Sequence, residues 1–290
     1  MAALPGAGLR AAVVGGGSMG SGIAEVTAEA GAQVTVVVPS TLSAGATERR
    51  LRRSLDRQVE RGRRTGPQRD ATLARIEVST DLTAVAACDV VIEAIREDEA
   101  GKREVFAQID KVVTGERAVL ASTTSGIPIG RLARATTRPG RVVGLHFFSP
   151  VPAQALVEVV PAALTEPGTL ERATHFVGTV LGKTPLTVPD RAGFLVNTLL
   201  VPYLLAAIRA VETGVATASD VDLGMTLGCS HPVGPLRLAD LIGLDVICGV
   251  AEAMYAEFRD PAYAPPPLLL RKVEAGQLGK KTGTGFHRYG

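Results

Sequence analysis

Cysteine is scarce in this chain of 290 residues, and the three present, Cys88, Cys229 and Cys248, stand far apart with no CxxC pair. That spacing offers neither a zinc site nor a disulfide framework, so no metal is expected and the thiols read as reduced and buried. Excess charge of one sign is missing too. The 31 basic and 29 acidic side chains leave +2, which argues against a dedicated nucleic-acid binder, whose phosphate contacts need a large basic surplus. No apolar run is long enough for a membrane span: the longest, Gly193 to Ile208, contains Asn197 and Pro202 and reads as a buried helix. The opening MAALPGAGLRAAVV does not have the charged segment, apolar run and cleavage site of an export leader, so a cytoplasmic protein is expected. Lysine is rare, six residues against 25 arginines, a bias that with so much alanine and glycine reads as GC-rich coding. What is present is 46% hydrophobic residues and 21% charged residues to cover them, enough for one large core or two moderate ones and too much for a disordered chain.

Strand-like and helix-like patterns alternate through the first two thirds. Arg10–Val14 is a short apolar run, residues 21–30 carry Ile23, Val26 and Ala30 at helical spacing, and Val34–Val38 is a continuous β-branched run. Residues 47–75 are polar and arginine-rich, broken near Gly62 and Gly66-Pro67, and read as two exposed helices. Strand patterns return at Asp89–Ala94, Ala118–Ala121 and Arg141–Phe148, with helices over 101–113 and near 128–136. Leu156–Val160 and Pro185–Val188 are further strands flanking a helix over about 168–182. From Gly193 onward no strand signal appears. This order predicts an α/β fold, a Rossmann-type doubly wound and mainly parallel sheet followed by an all-helical C-terminal domain, with domains at 1–190 and 191–290.

Gly15, Gly17 and Gly20 form G-x-G-x-x-G between the first strand and the first helix. The first glycine permits the tight turn, the second lets backbone approach a pyrophosphate, and the third lets helix pack on strand. The helix N-terminus, at Ser18 and Met19, then offers N–H groups to the phosphates. The acidic residue that grips the ribose 2′-hydroxyl belongs about twenty residues on, where this chain reads Val36-Val37-Val38-Pro39-Ser40. Val38 cannot accept those hydrogen bonds and does not repel a 2′-phosphate. NADP is therefore open beside NAD, with Ser40, Thr41 or a following arginine as phosphate partners. His146 ends an apolar strand at the edge where such sheets bind ligands, and Glu158 is a costly charge in the next apolar strand unless paired. A carboxylate beside an imidazole orients it and stabilises its protonated form, as a general base requires.

Motifs in matching order run through nearly the whole chain: GGGSMGSGIA at 15–24, VIEAIRED at 91–98, HFFSPVP at 146–152, GFLVNTLLVPYL at 193–204, HPVGPLRLADLIGLD at 231–245 and GQLGKKTGTGF at 276–286. On these residues the chain resembles the 3-hydroxyacyl-CoA dehydrogenase family, including 3-hydroxybutyryl-CoA dehydrogenases. The resemblance implies an NAD(P)-dependent oxidoreductase acting at C3 of a short-chain 3-hydroxyacyl thioester. It implies that His146 is the catalytic histidine and Glu158 its partner, that Ser125 and Asn197 contact substrate, and that Glu97 and Lys102 contact the cofactor. Ser149 stands at a nicotinamide-side position where relatives have Asn, and Val38 stands where they have Asp. A homodimer formed through the helical domain is implied in the same way, with NAD as the family's usual cofactor.

Between Arg49 and Arg75 lie ten arginines and no lysine against Asp56, Glu60 and Asp70, a local charge of +7 that leaves the other 263 residues at −5. One reading is a solvated hairpin. The resemblance implies instead that this excursion contacts coenzyme A, with Ser54 and Arg61 at matching positions. The same patch suits the acidic surface of an acyl carrier protein, so a biosynthetic hydroxyacyl-(acyl carrier protein) dehydrogenase is an alternative. Others are a relative acting on a non-thioester hydroxy acid and a non-catalytic dinucleotide-binding homologue.

Overall fold

The computed structural model describes residues 6–290; residues 1–5, part of the opening stretch judged against an export leader, lie outside the described residues. The chain divides into two compact units, one ending at Asp190 and one beginning at Arg191. The first holds β1 (Arg10–Val14), α1 (Ser18–Glu29), β2 (Gln33–Val37), α2 (Thr41–Glu60), α3 (Gly66–Leu73) and β3 (Ile76–Ser79). It continues with β4 (Val90–Glu93), α4 (Glu99–Val112), β5 (Val119–Ser122), α5 (Ile129–Ala133), β6 (Val142–Phe147), β7 (Leu156–Pro161), α6 (Pro167–His175) and β8 (Thr184–Thr187).

The eight strands form one sheet in the order β3-β2-β1-β4-β5-β6-β7-β8. All neighbours are parallel except β6 and β7. The continuous apolar strands β1, β4, β5 and β6 are buried along almost their whole length, as strands covered on both faces must be. Sequence position therefore fixes function-bearing geometry. The glycine loop after β1 and the segments following β4 and β5 all leave the same edge of the sheet, where His146 also lies near the end of β6.

Three local features differ from the sequence reading. β3 carries only Ile76 and Val78 as apolar residues and is half-exposed at the sheet edge, so its pattern is too short to stand out beside the arginine-rich helix before it. The helix expected over 168–182 regularises only to His175. The chain continues through one wider turn, in which Leu181 N–H donates to the Phe176 carbonyl five residues back (2.9 Å). Cys88 and Cys248 are buried, but Cys229 is exposed because it closes the C-terminal end of a helix over Ala218–Gly228 in the second unit.

The second unit is helical: α7 (Val196–Glu212), α8 (Ala218–Gly228), α9 (Pro235–Ile242), α10 (Leu244–Phe258) and α11 (Pro267–Glu274). Leu204, Leu205 and Ile208 of α7 pack with Leu236 and Ala239 of α9, Leu244, Ile247, Ala251 and Met254 of α10, and Leu269 of α11. Two buried aspartates strap the chain's end to this core. Asp240 accepts from Phe286 N (2.9 Å), His287 N (2.8 Å) and Tyr289 Oη (3.0 Å), while Asp222 accepts from Leu236 N and from His287 Nε2 (2.7 Å). Burial and the adjacent Asp240 carboxylate push the Tyr289 phenol up to about 12, so it stays a donor.

The arginine-rich segment is a two-helix hairpin. Thr47, Leu51 and Leu55 place one buried face of α2 inward, and Thr65 with Gln68 forms a capping box that starts α3. The hairpin is tied to α1 through buried acids: Gln58 donates to Glu25, Arg64 donates to Gln58 (2.9 Å), and Arg64 pairs with Glu29 at 2.6 Å. Burial raises the Glu25 carboxyl and pushes that of Glu29 up to about 7, against the pull of Arg64 and with the further push of Glu25. A folded-state value above the ordinary 4.5 means that the folded chain holds the proton more tightly than the unfolded one. Glu29 thus supports the fold most at acidic pH, and that support is lost as pH rises through 7. Glu29→Gln should raise the melting temperature by a few degrees at pH 8 and by less at pH 5, read by thermal scanning calorimetry; a larger gain at pH 5 would contradict this.

Candidate active site

The site is built on the edge where β1, β4, β5 and β6 end. At the glycine loop, Gly15 takes φ +117, a conformation that glycine alone adopts readily. A side chain there would also collide with the Ala94 carbonyl (2.4 Å from the added Cβ), and one at Gly20 would collide with the Gly15 carbonyl (1.9 Å). Gly17 is different: a Cβ added to it meets nothing within 4 Å, so the middle glycine borders open space. Gly17 is the N-cap of α1, which has no side-chain cap and no acidic residue in its first turn, and Ser18 beside it is exposed. Its leading N–H groups are thus left for an anion, and the loop fits the pyrophosphate of a dinucleotide. Met19 is half-buried behind them.

The segments after β4 and β5 are locked together by a buried charge network that the sequence reading only partly foresaw. Glu93, fully buried at the end of β4, accepts from Lys102 Nζ (2.6 Å), Ile95 N (2.7 Å) and Ser122 Oγ (2.6 Å). Lys102 is 1% exposed and turns its remaining donors to Glu97 (3.3 Å) and the Ile95 carbonyl (3.4 Å). Glu97 in turn accepts from Thr124 Oγ1 and from Ser125 N (3.0 Å). The structure thus brings Glu97, Lys102 and Ser125 together. Lys102 lies behind Glu97 with its ammonium spent on protein oxygens, while Glu97 and Ser125 stand in front, partly exposed. The signal for Glu93 was available: a carboxylate in an apolar strand, as Glu158 is in β7.

His146 and Glu158 meet because β6 and β7 run antiparallel with these two residues directly opposite each other. Facing residues of such a pair project from the same side of the sheet. His146 Nδ1 and Glu158 Oε2 are 2.6 Å apart, with the histidine 4% and the glutamate 0% exposed. The carboxylate accepts from Nδ1–H, which fixes the neutral ring as the tautomer whose lone pair is on Nε2. The Phe148 ring tilts against the imidazole at 4.6 Å. Ser149 follows, exposed, in the loop to β7; Lys183 pins that loop by donating to the carbonyls of Val151 (2.8 Å) and Gln154 (2.6 Å).

Asn197 is the second residue of α7, half-buried, in the helical unit. Ser54 of α2 is half-buried, and its hydroxyl opposes the burial that raises the Glu25 carboxyl of α1, whereas Arg61, closing α2, is exposed. Val38, just past β2, is buried at 3% exposure. No cluster of three or more metal-ligating side chains occurs among the described residues.

Two sequence-family models match the chain in tandem: one described as 3-hydroxyacyl-CoA dehydrogenase, NAD binding domain, over residues 10–191, and one described as 3-hydroxyacyl-CoA dehydrogenase, C-terminal domain, over residues 193–289. The chain is 54% identical over 280 residues to a 3-hydroxybutyryl-CoA dehydrogenase of Mycobacterium tuberculosis, covering 97% of this chain and 98% of that one. Its fold is similar to the crystal structure of M. tuberculosis FadB2, with a TM-score of 0.96 at 53% identity, covering 98% of this chain and 100% of that one. The crystal structure of (S)-3-hydroxybutyryl-CoA dehydrogenase from Ralstonia eutropha gives a TM-score of 0.90 at 41% identity, covering 97% and 99%.

Removing one partner of a fully buried ion pair typically costs about 3–5 kcal/mol, because the other charge is left uncompensated. Lys102→Met should lower the unfolding free energy by about that amount in urea titrations, and adding Glu93→Gln should recover part of the loss. A Lys102→Met protein as stable as the parent would show that the network does not hold these loops.

Proposed function

The chain belongs to the 3-hydroxyacyl-CoA dehydrogenase family, and we propose that it is an oxidoreductase that interconverts a short-chain 3-hydroxyacyl-CoA and its 3-oxoacyl-CoA. 3-Hydroxybutyryl-CoA and acetoacetyl-CoA are the simplest such pair. The observation that carries this reading is the buried His146–Glu158 pair at the edge where the glycine loop opens. A bound nicotinamide dinucleotide supplies the hydride acceptor or donor for C3. On oxidation, His146 Nε2 takes the 3-hydroxyl proton, and on reduction it returns it. Glu158 holds Nδ1–H throughout and offsets the imidazolium charge that forms, in surroundings where a lone imidazolium would be costly.

The other residues bind and orient. Gly15, Gly17, Ser18, Met19 and Gly20 receive the pyrophosphate at the start of α1, Val38 borders the ribose, and Ser149 lies on the nicotinamide side. Glu97 faces the cofactor from a loop that Lys102 fixes from behind. The Ser125 hydroxyl and the Asn197 amide hydrogen-bond the substrate's oxygens and hold C3 in position for transfer. The exposed arginines of α2 and α3, Arg61 among them, receive the phosphates of coenzyme A, since a guanidinium fork matches phosphate oxygens. The same +7 surface favours a second reading, in which the acyl group is carried by an acidic acyl carrier protein. A non-catalytic homologue is disfavoured because it has no need of a charged pair buried this deeply.

No helix among the described residues is long and apolar enough to cross a membrane. Exposed Leu199, Leu223, Leu227 and Leu241 on the helical unit support assembly as a homodimer.

The test follows nicotinamide absorbance with acetoacetyl-CoA and with an acetoacetyl carrier protein. Turnover with the CoA ester is expected; none with either rejects the enzyme reading, and turnover with the carrier alone selects the second reading. His146→Ala should lower kcat by about 10²–10⁴-fold, the usual contribution of a positioned general base, with dinucleotide affinity within about twofold of the parent. A variant that keeps its rate removes His146 from the base role.

A further inference from the structure

Resting on the reading of the glycine loop as a dinucleotide site, we infer that the adenosine end of this site is built for a 2′-phosphorylated dinucleotide, with Arg50 as the phosphate ligand. In a doubly wound sheet the ribose 2′-position faces the end of the second strand, where a carboxylate accepts from the 2′-hydroxyl. Here β2 ends at Val37, and Val38 continues it by donating its N–H to the Ser79 carbonyl (2.9 Å). The Val38 side chain packs on the glycine loop, so close that a Cβ on Gly16 would lie 2.8 Å from its Cγ1. The Val38 side chain offers no acceptor to a ribose hydroxyl and no negative charge to repel a phosphate.

The charge that faces the corner comes from α2. Ser43, Thr47 and Arg50 fall on one face of that helix, at spacings of four and three. The Thr47 hydroxyl lies 2.8 Å from the Ser43 carbonyl, and Arg50 Nη1 donates to the Gly16 carbonyl at 2.5 Å, which Ser21 Oγ also approaches (3.0 Å). Arg50 is thus held half-buried by a neutral carbonyl on the residue that Val38 packs against. Two of the other nine hairpin arginines are neutralised, Arg64 by Glu29 and Arg69 by Asp56 and Asp70; Arg50 differs from the rest in being held at the glycine loop. Arg50 makes no ion pair among the described residues, and the rest of its guanidinium fork has no protein acceptor there. A phosphomonoester dianion supplies what is missing, because its oxygens match two parallel N–H donors. Ser40 is less suited, since its hydroxyl already caps α2 by accepting from Ser43 N (3.2 Å). The positive sign of the corner is reinforced by the first turn of α2, which contains no acidic residue.

The experiment measures equilibrium affinities of the full chain for NADPH and NADH by nicotinamide fluorescence. The expected result is at least about tenfold tighter binding of NADPH, the scale of one charge-assisted phosphate contact. Arg50→Gln should lose most of that preference, its NADPH affinity falling about tenfold more than its NADH affinity. As a second variant, Val38→Asp should turn the preference toward NADH, and in melting-temperature shifts 2′,5′-ADP should stabilise the parent more than ADP. Equal affinity for the two dinucleotides overturns the inference, as does an Arg50→Gln variant that weakens both alike, which would make Arg50 only a clamp on the glycine loop. Preferential NADPH binding without turnover of any acyl thioester keeps this inference and rejects the dehydrogenase reading; turnover by a protein that prefers NADH does the reverse.

Discussion

The single reversal of direction in an otherwise parallel run, between β6 and β7, is what the candidate chemistry depends on. A parallel β7 would place Glu158 at the other end of its strand from His146 for any short connection. The antiparallel register sets them directly opposite, on the same side of the sheet, and buries both. Burial makes each residue require the other. A carboxylate removed from water with no donor is strongly disfavoured, and an imidazole next to it is fixed in one tautomer. The geometry thus follows from strand pairing first and from side-chain chemistry second.

A parallel logic governs the loops in front. β4 and β5 end in Glu93 and Ser122, and one fully buried carboxylate holds an ammonium, a hydroxyl and a backbone N–H at once. The outcome is that Glu97 and Ser125, which stand at the open edge, rest on a dry and fully bonded base. Such a base suits a site that must hold reacting atoms within fractions of an ångström, because its supports lie in the sheet and not in solvent-exposed turns.

Much of this architecture was readable from residues. Continuous β-branched runs announced the buried strands, the glycine spacing announced the turn before α1, and the charges in the apolar strand at 156–160 and at the end of 141–148 announced a buried pair. The parts that escaped have physical reasons. β3 has two apolar residues and an exposed edge, so its periodicity carries almost no signal. The wider turn after His175 preserves the burial of Phe176, Val177 and Val180 while changing the hydrogen-bond ladder, which a pattern of apolar residues does not record. Likewise ten arginines look alike in sequence; only packing shows that Glu29, Asp56 and Asp70 neutralise two of them and that Gly16 holds another.

The network around Glu93 has a consequence for motion. The Glu93 side chain bonds Ile95 N, Lys102 and Ser122, its own carbonyl accepts from Thr123 N, and Thr124 and Ser125 are tied to the same chain of bonds through Ser122 and Glu97. Two loops some thirty residues apart in sequence therefore share one set of fastenings. Neither can loosen alone without stranding a buried charge, so the shared fastenings couple the two loops into one cooperative unit.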